Sequence, residues 1–144
     1  MGHALDLATA AAGDGDVPVG AVVVSPAGEV IGEGRNVREV EGDPTAHAEI
    51  VALREAARKT GEWRLEGCTL VVTLEPCPMC AGALVLSRVS TLVMGAWDPK
   101  MGACGSVWDI VRDRRATHRV EVISGVREAE CSQVLLDFFA GHRS

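Results

Sequence analysis

The chain has 144 residues, 47% hydrophobic and 24% charged, a balance that describes a packed globular protein and excludes a disordered one. Its five cysteines are odd in number and irregularly spaced, which argues against a disulfide scaffold; the longest uncharged runs, Val17–Gly28 and Pro76–Ser87, fall short of the about eighteen residues a membrane span needs. The net charge of −6 argues against a broad polyanion-binding face, although residues 1–49 carry nine acids against two bases and the rest is close to neutral.

The length suggests a single domain over residues 1–144. His3 to Ala12 reads as a helix with Ala4, Leu5, Ala8 and Ala12 on one side. No positive segment precedes it and Asp6 interrupts its apolar stretch, so no signal peptide is expected and a reducing, cytoplasmic setting is. Val19–Val24 is a mostly apolar strand, as burial on both faces requires. Ser25-Pro26-Ala27-Gly28 is a turn, and Val30–Gly34 returns as a hairpin partner. Arg35–Asp43 reads as a polar loop. Ala46–Thr60 is the clearest helix, with Ala46, Ile50, Leu53 and Ala57 on its apolar face, Thr45 as N-cap and Gly61 as terminator.

Thr69–Thr73 is the next strand. A helix follows to about Ser87, opened by Pro78, whose fixed φ suits a first helical position. Thr91–Gly95 is a fourth strand. Residues 96–118 then include a short predicted helix at Val107–Val111, and Arg119–Ser124 is a fifth strand. That connection is long enough for strands four and five to be parallel. Glu128–Ala140 closes the chain as a helix with Cys131, Val134, Leu135 and Phe138 inward. This order predicts an α/β protein with one mixed sheet of five strands and helices on both faces. With few aromatics, its core must rest on Val, Leu, Ile and Ala.

Two short motifs carry chemistry. Cys77 and Cys80 sit three residues apart at a helix start, which places both thiols on one face of an N-terminus that favours thiolates. Thiolates bind zinc. His47 and Glu49 open the earlier helix. His47, Cys77 and Cys80 make three candidate ligands, and three is the catalytic count, because structural zinc sites close with four protein ligands while catalytic ones leave a position for water. Glu49 lies two residues from His47 and is better placed as a proton carrier than as a ligand. Taken singly, a C-x-x-C is often a redox pair and a His-x-Glu a solvated helix face. Cys68, Cys104 and Cys131 are then small buried hydrophobes. Arg112, Arg114, Arg115 and Arg119 crowd eight residues, either an RNA contact or a solvated charge cluster.

The combined pattern, H-x-E followed by P-C-x-x-C, is the known signature of the zinc nucleobase deaminases. The resemblance is wider than the signature. Val17-Pro18-Val19-Gly20-Ala21, Asp43 through Ile50, Thr73 through Gly82, Gly102 through Ser106, His118 through Val122 and Asp137-Phe138-Phe139 resemble the bacterial tRNA-specific adenosine deaminases. This resemblance implies the cytidine-deaminase-like three-layer fold and zinc as the cofactor, with no organic one. It implies a homodimer, no membrane partner, and a tRNA anticodon stem-loop whose wobble adenosine becomes inosine. Asn36 matches the residue that contacts the flipped base, and Pro18 and Val19 match the pocket floor. Ala48 falls with the substrate-binding group, and Asp98 and Lys100 fall in a loop facing the anticodon nucleotides. Trp97 stands where the family often has a basic residue. The resemblance also implies a longer first helix and more basic residues after Phe139. Glu75 is expected to orient the cysteine turn. The rival readings are a small-molecule deaminase of guanine, cytosine or a nucleoside, and a non-catalytic subunit with structural zinc. Glu49 argues against the second.

Overall fold

The computed structural model describes residues 1–141. Of the weakly basic tail after Phe139, Ala140 and Gly141 end the last helix, and His142-Arg143-Ser144 lies outside the described residues. The elements run α1 (Gly2–Gly13), β1 (Gly20–Val24), β2 (Val30–Arg35), α2 (Arg38–Glu41), α3 (Ala48–Thr60), β3 (Thr69–Leu74), α4 (Pro78–Leu86), β4 (Thr91–Ala96), β5 (Glu121–Ile123) and α5 (Glu128–Gly141). The strands form one sheet in the order β2-β1-β3-β4-β5. β1 is antiparallel to both β2 and β3, while β3, β4 and β5 are parallel. The sheet is therefore mixed, as predicted, and β5 pairs parallel to β4.

The strands alternate between two faces. Ala21, Val23, Leu70, Val72, Leu92 and Met94 pack with Ala52 and Leu53 of α3 and Leu84 of α4. Val22 and Val71 point the other way, against Ala4 of α1, and Cys131 of α5 packs with Leu5 and Ala96. Among the described residues no aromatic side chain is in the buried core, so Leu70, Leu84, Leu92 and Met94 are its largest apolar members. Burying each is worth about 1.5–3 kcal/mol.

Several local expectations change. Arg35–Asp43 is not all loop: Arg38–Glu41 turns once as α2, because the buried Asp16 carboxylate accepts the N–H groups of Glu39 at 2.8 Å and Val40 at 3.2 Å. The buried face of α3 is Ala48, Glu49, Ala52, Leu53 and Ala56: of the expected stripe, Leu53 is buried as predicted, Ala46 is buried but precedes the helix, and Ile50 and Ala57 are half-buried. The reason lies in β2, where Gly32 and Gly34 let the alanine side of the helix approach backbone to backbone. Ile50 and Ala57 are thereby left to the groove between α3 and α4. In α1, Ala11 is buried in place of Ala12.

Thr45 does not cap α3. Its hydroxyl donates to Asp43 and its N–H goes to the same carboxylate, both at 2.8 Å, so the N-cap falls on His47 with no side-chain cap bond. Gly61 ends the helix in the left-handed region at φ 71°, as expected. The predicted helix at Val107–Val111 is absent. Residues 97–120 form an irregular loop whose N–H groups are taken before a helix can start: those of Val107 and Trp108 go to the Gly102 carbonyl and that of Ile110 to Ala103. Along α5 only Cys131 is buried; Val134, Leu135 and Phe138 are half-buried.

Candidate active site

A cavity of about 300 Å³ opens where β3 ends and α3 and α4 begin. Crevices beyond the C-terminal ends of parallel strands are the usual ligand sites of α/β sheets. Here two helix N-termini project into that position. Pro78 starts α4 at its first position and leaves Cys77 as the extended N-cap, with Cys80 in the first turn. Across the crevice, His47 is the N-cap of α3. Thirty residues apart in the chain, these side chains converge: His47 Nδ1 lies 3.5 Å from Cys77 Sγ and 3.5 Å from Cys80 Sγ, and the three donor atoms fall within 4.8 Å of one another.

This donor set fits zinc. A tetrahedral ion with sulfur at about 2.3 Å and nitrogen at about 2.0–2.1 Å holds S and N about 3.5 Å apart. The hydrogen bond from Cys80, helped by His47, brings Cys77 down to about 4. Cys80, bonded to that thiolate and buried, is pushed up, and His47 is raised chiefly by its bond to Cys77. A divalent cation held here would take both thiols as thiolates, since metal binding requires deprotonated ligands.

Glu49 lies in the first turn of α3 and is only 4% exposed, beside this cluster. Burial pushes its carboxyl up to about 7. A carboxyl that titrates near neutrality both accepts and returns protons, which suits acid–base chemistry.

The rest of the cavity wall is mixed. Val19, Asn36, Ala48 and Asp98 line it, as do Val17, Arg38, Leu74, Glu75 and Met101. Pro18 is fully buried and does not line it, so the floor is Val17 and Val19 on either side. Asn36 is held on both ends of its amide: Nδ2 donates to the Val17 carbonyl at 3.2 Å, and Oδ1 accepts the Arg38 N–H at 3.1 Å. Arg38 carries no signal in the sequence beyond its position two residues after Asn36, and only the fold brings it to the wall. Lys100 lies on the exposed loop outside the cavity, its N–H donating to Asp98 Oδ1.

Glu75 does something other than orient the cysteine turn. Its buried carboxylate accepts the N–H groups of Asp98 at 2.9 Å and of Cys104 and Ser106 at 3.0 Å each, together with the Ser106 hydroxyl. It holds the 98–106 loop and so places Asp98 and Met101 on the cavity wall. The arginine cluster is partly self-neutralised: Arg112 pairs with Asp109 at 2.9 Å and Arg115 with Asp113 at 2.7 Å. None of Arg112, Arg114 and Arg115 lines the cavity. Among the described residues no helix is long and apolar enough to cross a membrane, and all five cysteines are free.

Comparison with known proteins bears on this site. Residues 1–96 match the family model for the cytidine and deoxycytidylate deaminase zinc-binding region, a span containing all three candidate ligands and Glu49. The tRNA-specific adenosine deaminase of Bacillus subtilis is 50% identical over 139 residues, covering 96% of this chain and 86% of that protein. The Haemophilus influenzae protein of the same name is 52% identical over 143 residues, covering 99% and 83%. A solved structure from work on A-to-I editing by tRNA:A34 deaminases at the wobble position of transfer RNA superposes with a TM-score of 0.90 at 41% identity, covering 94% of this chain and 97% of that one.

Proposed function

The chain belongs to the cytidine and deoxycytidylate deaminase zinc-binding family, and we propose that it hydrolyses adenosine to inosine at the wobble position of a tRNA anticodon. The observation that carries the chemistry is the buried Glu49 carboxyl beside three converging soft donors in one cavity. The likeness to tRNA-specific adenosine deaminases over nearly the whole chain supports the substrate.

His47, Cys77 and Cys80 would hold zinc. Zinc there would supply a Lewis acid that makes water a nucleophile at neutral pH. Glu49 takes a proton from the attacking water and delivers it to ring N1 of the adenine. It then passes the second proton to the departing amino group, so that water and adenosine become inosine and ammonia. Asn36 and the Val17–Val19 wall fix the base in the cavity, and Asp98 and Met101 close its side. Burial of the cavity keeps competing water away from the ring. The RNA is gripped locally: Lys100, Arg114 and Arg119 supply charge beyond the cavity, while Arg112 and Arg115 must share theirs with Asp109 and Asp113. Salt dependence is therefore modest, a slope of roughly −2 to −4 at about −0.7 per single-strand phosphate.

Residues 1–144 act as a single domain in the cytoplasm, and two copies associate. An exposed apolar groove between α3 and α4, with Trp63 54% and Leu86 70% exposed, supports that association. Sedimentation at micromolar concentration tests it against a single 15.1 kDa species.

The decisive experiment incubates the protein with an anticodon stem-loop and, separately, with free adenosine, guanine and cytosine, followed by nucleoside analysis. Inosine from the stem-loop at the wobble position, with little product from free adenosine, is expected. Faster turnover of a free base or nucleoside would make the protein a small-molecule deaminase. Metal analysis should give one zinc per chain, and Cys77→Ser should lower that occupancy.

A further inference from the structure

The cavity has room for a nucleoside but not for a run of nucleotides. At about 300 Å³ it lies at the small end of ligand pockets, so the neighbours of an inserted nucleotide stay on its rim. One residue along the chain from the cavity wall stands an indole. Trp97 follows the last residue of β4 and immediately precedes Asp98, which lines the cavity, yet its side chain is 40% exposed. Met101, Val107 and Trp108 of the same loop are exposed as well. Leaving so much apolar surface in water is unfavourable unless something covers it.

The ring is seated rather than loose. A Cβ at Gly105 would lie 3.1 Å from Trp97 Cζ3, 3.4 Å from Cη2 and 3.3 Å from Arg112 Nη2. Gly105 thus leaves open a space bordered by the edge of the indole and by the Arg112 guanidinium. Arg112 is fixed in turn by Asp109, and Gly105 is tied by its N–H to the Trp108 carbonyl at 2.8 Å. Beneath them, Glu75 holds the backbone of residues 98, 104 and 106. The loop therefore presents its aromatic surface already in place, which lowers the ordering cost of binding.

We infer that Trp97 is a stacking surface for the nucleotide adjacent to the reacting base, with Arg112 beside it toward the backbone of the same nucleotide. Aromatic rings grip splayed single-stranded bases by their faces and tolerate any base. A planar hydrophobic side chain with a cation at its edge, one residue from the pocket wall, has that chemistry. This inference rests on the RNA reading of the site and adds to it a residue outside the family signature.

The test measures binding and kinetics of the zinc-loaded parent, Trp97→Ala and Trp97→Phe on an anticodon stem-loop, and on loops with an abasic residue on either side of the target adenosine. Trp97→Ala should weaken stem-loop binding roughly tenfold or more, the scale of one lost base–aromatic stack. The loss should appear in KM with kcat nearly unchanged, and Trp97→Phe should recover most of it. In the parent, one abasic loop should lose a similar factor, and on that loop Trp97→Ala should add little. Equal affinity of Trp97→Ala and parent, with the parent active on the stem-loop, overturns this inference alone. The same holds if the substitution changes only the mass in sedimentation, which would make Trp97 a contact between copies. A parent that ignores the stem-loop but deaminates a free base overturns both this inference and the RNA reading.

Discussion

Glu75→Gln exchanges one carboxylate oxygen for an amide nitrogen on a side chain only 2% exposed. Oε2 accepts two backbone N–H groups, from Cys104 and Ser106, and an amide nitrogen there would face both. Oε1 accepts one N–H, from Asp98, and the Ser106 hydroxyl, which can turn to accept instead. The glutamine therefore settles with its nitrogen at the Oε1 side and loses the Asp98 bond. Hydrogen bonds to a charged group contribute about 1.5–3 kcal/mol and neutral ones about 0.5–1.5, so one lost bond and two weakened ones cost on the order of 3–4 kcal/mol. For a chain of this length that lowers Tm by about 10 °C. Denaturant unfolding of the zinc-loaded protein should show the midpoint falling with the slope unchanged. Because no partner of Glu75 is a candidate ligand, zinc content should stay at the parental value. Loosening of Asp98 and Met101 should raise KM for the stem-loop. The alanine variant would leave three N–H groups without a partner and threaten the about 5–15 kcal/mol that holds such a protein folded, so glutamine is the informative change. A Glu75→Gln protein within about 0.5 kcal/mol of the parent would refute this account of the loop.

Three further outcomes follow from other parts of the structure. Glu49→Gln should keep zinc and fold but lose turnover by about 10²–10⁴-fold, measured as inosine release, because both proton deliveries fail; near-normal turnover would remove Glu49 from the mechanism. Gly34→Ala should cost about 3 kcal/mol or more in denaturant unfolding, since its Cβ would strike the Ala48 carbonyl and stand 2.7 Å from the Ala52 nitrogen, neither of which can yield without moving the helix that bears His47 and Glu49. Asp16→Asn should raise KM with kcat nearly unchanged, because losing one acceptor at the Glu39 and Val40 N–H groups loosens the segment that sets Asn36 and Arg38 on the cavity wall; an unaltered KM would show that the segment holds itself.

Features written in neighbouring residues are legible in the chain alone. Pro78 at the head of α4, the three-residue spacing of Cys77 and Cys80, the His47-x-Glu49 start of α3 and the Gly61 stop are short-range matters of backbone geometry and side-chain reach. The five strands are equally legible, because burial on the faces of a sheet demands apolar residues along each one. What tertiary structure decides is where each backbone donor finds its acceptor and which helix face meets which strand. Thr45 gives its hydroxyl and N–H to Asp43 and does not cap α3, whose N-cap falls on His47. The α3 face turns toward its alanines because glycines on β2 admit close approach, a fact held in another segment. The loop after β4 gives up its predicted helix, its backbone donors being shared between nearby carbonyls and Glu75, which lies 23 to 31 residues earlier. Arg38 and Met101 reach the cavity for the same reason. Hydrogen-bond competition and shape matching across distant segments are settled only when the chain is folded, and periodicity along one segment carries no record of them.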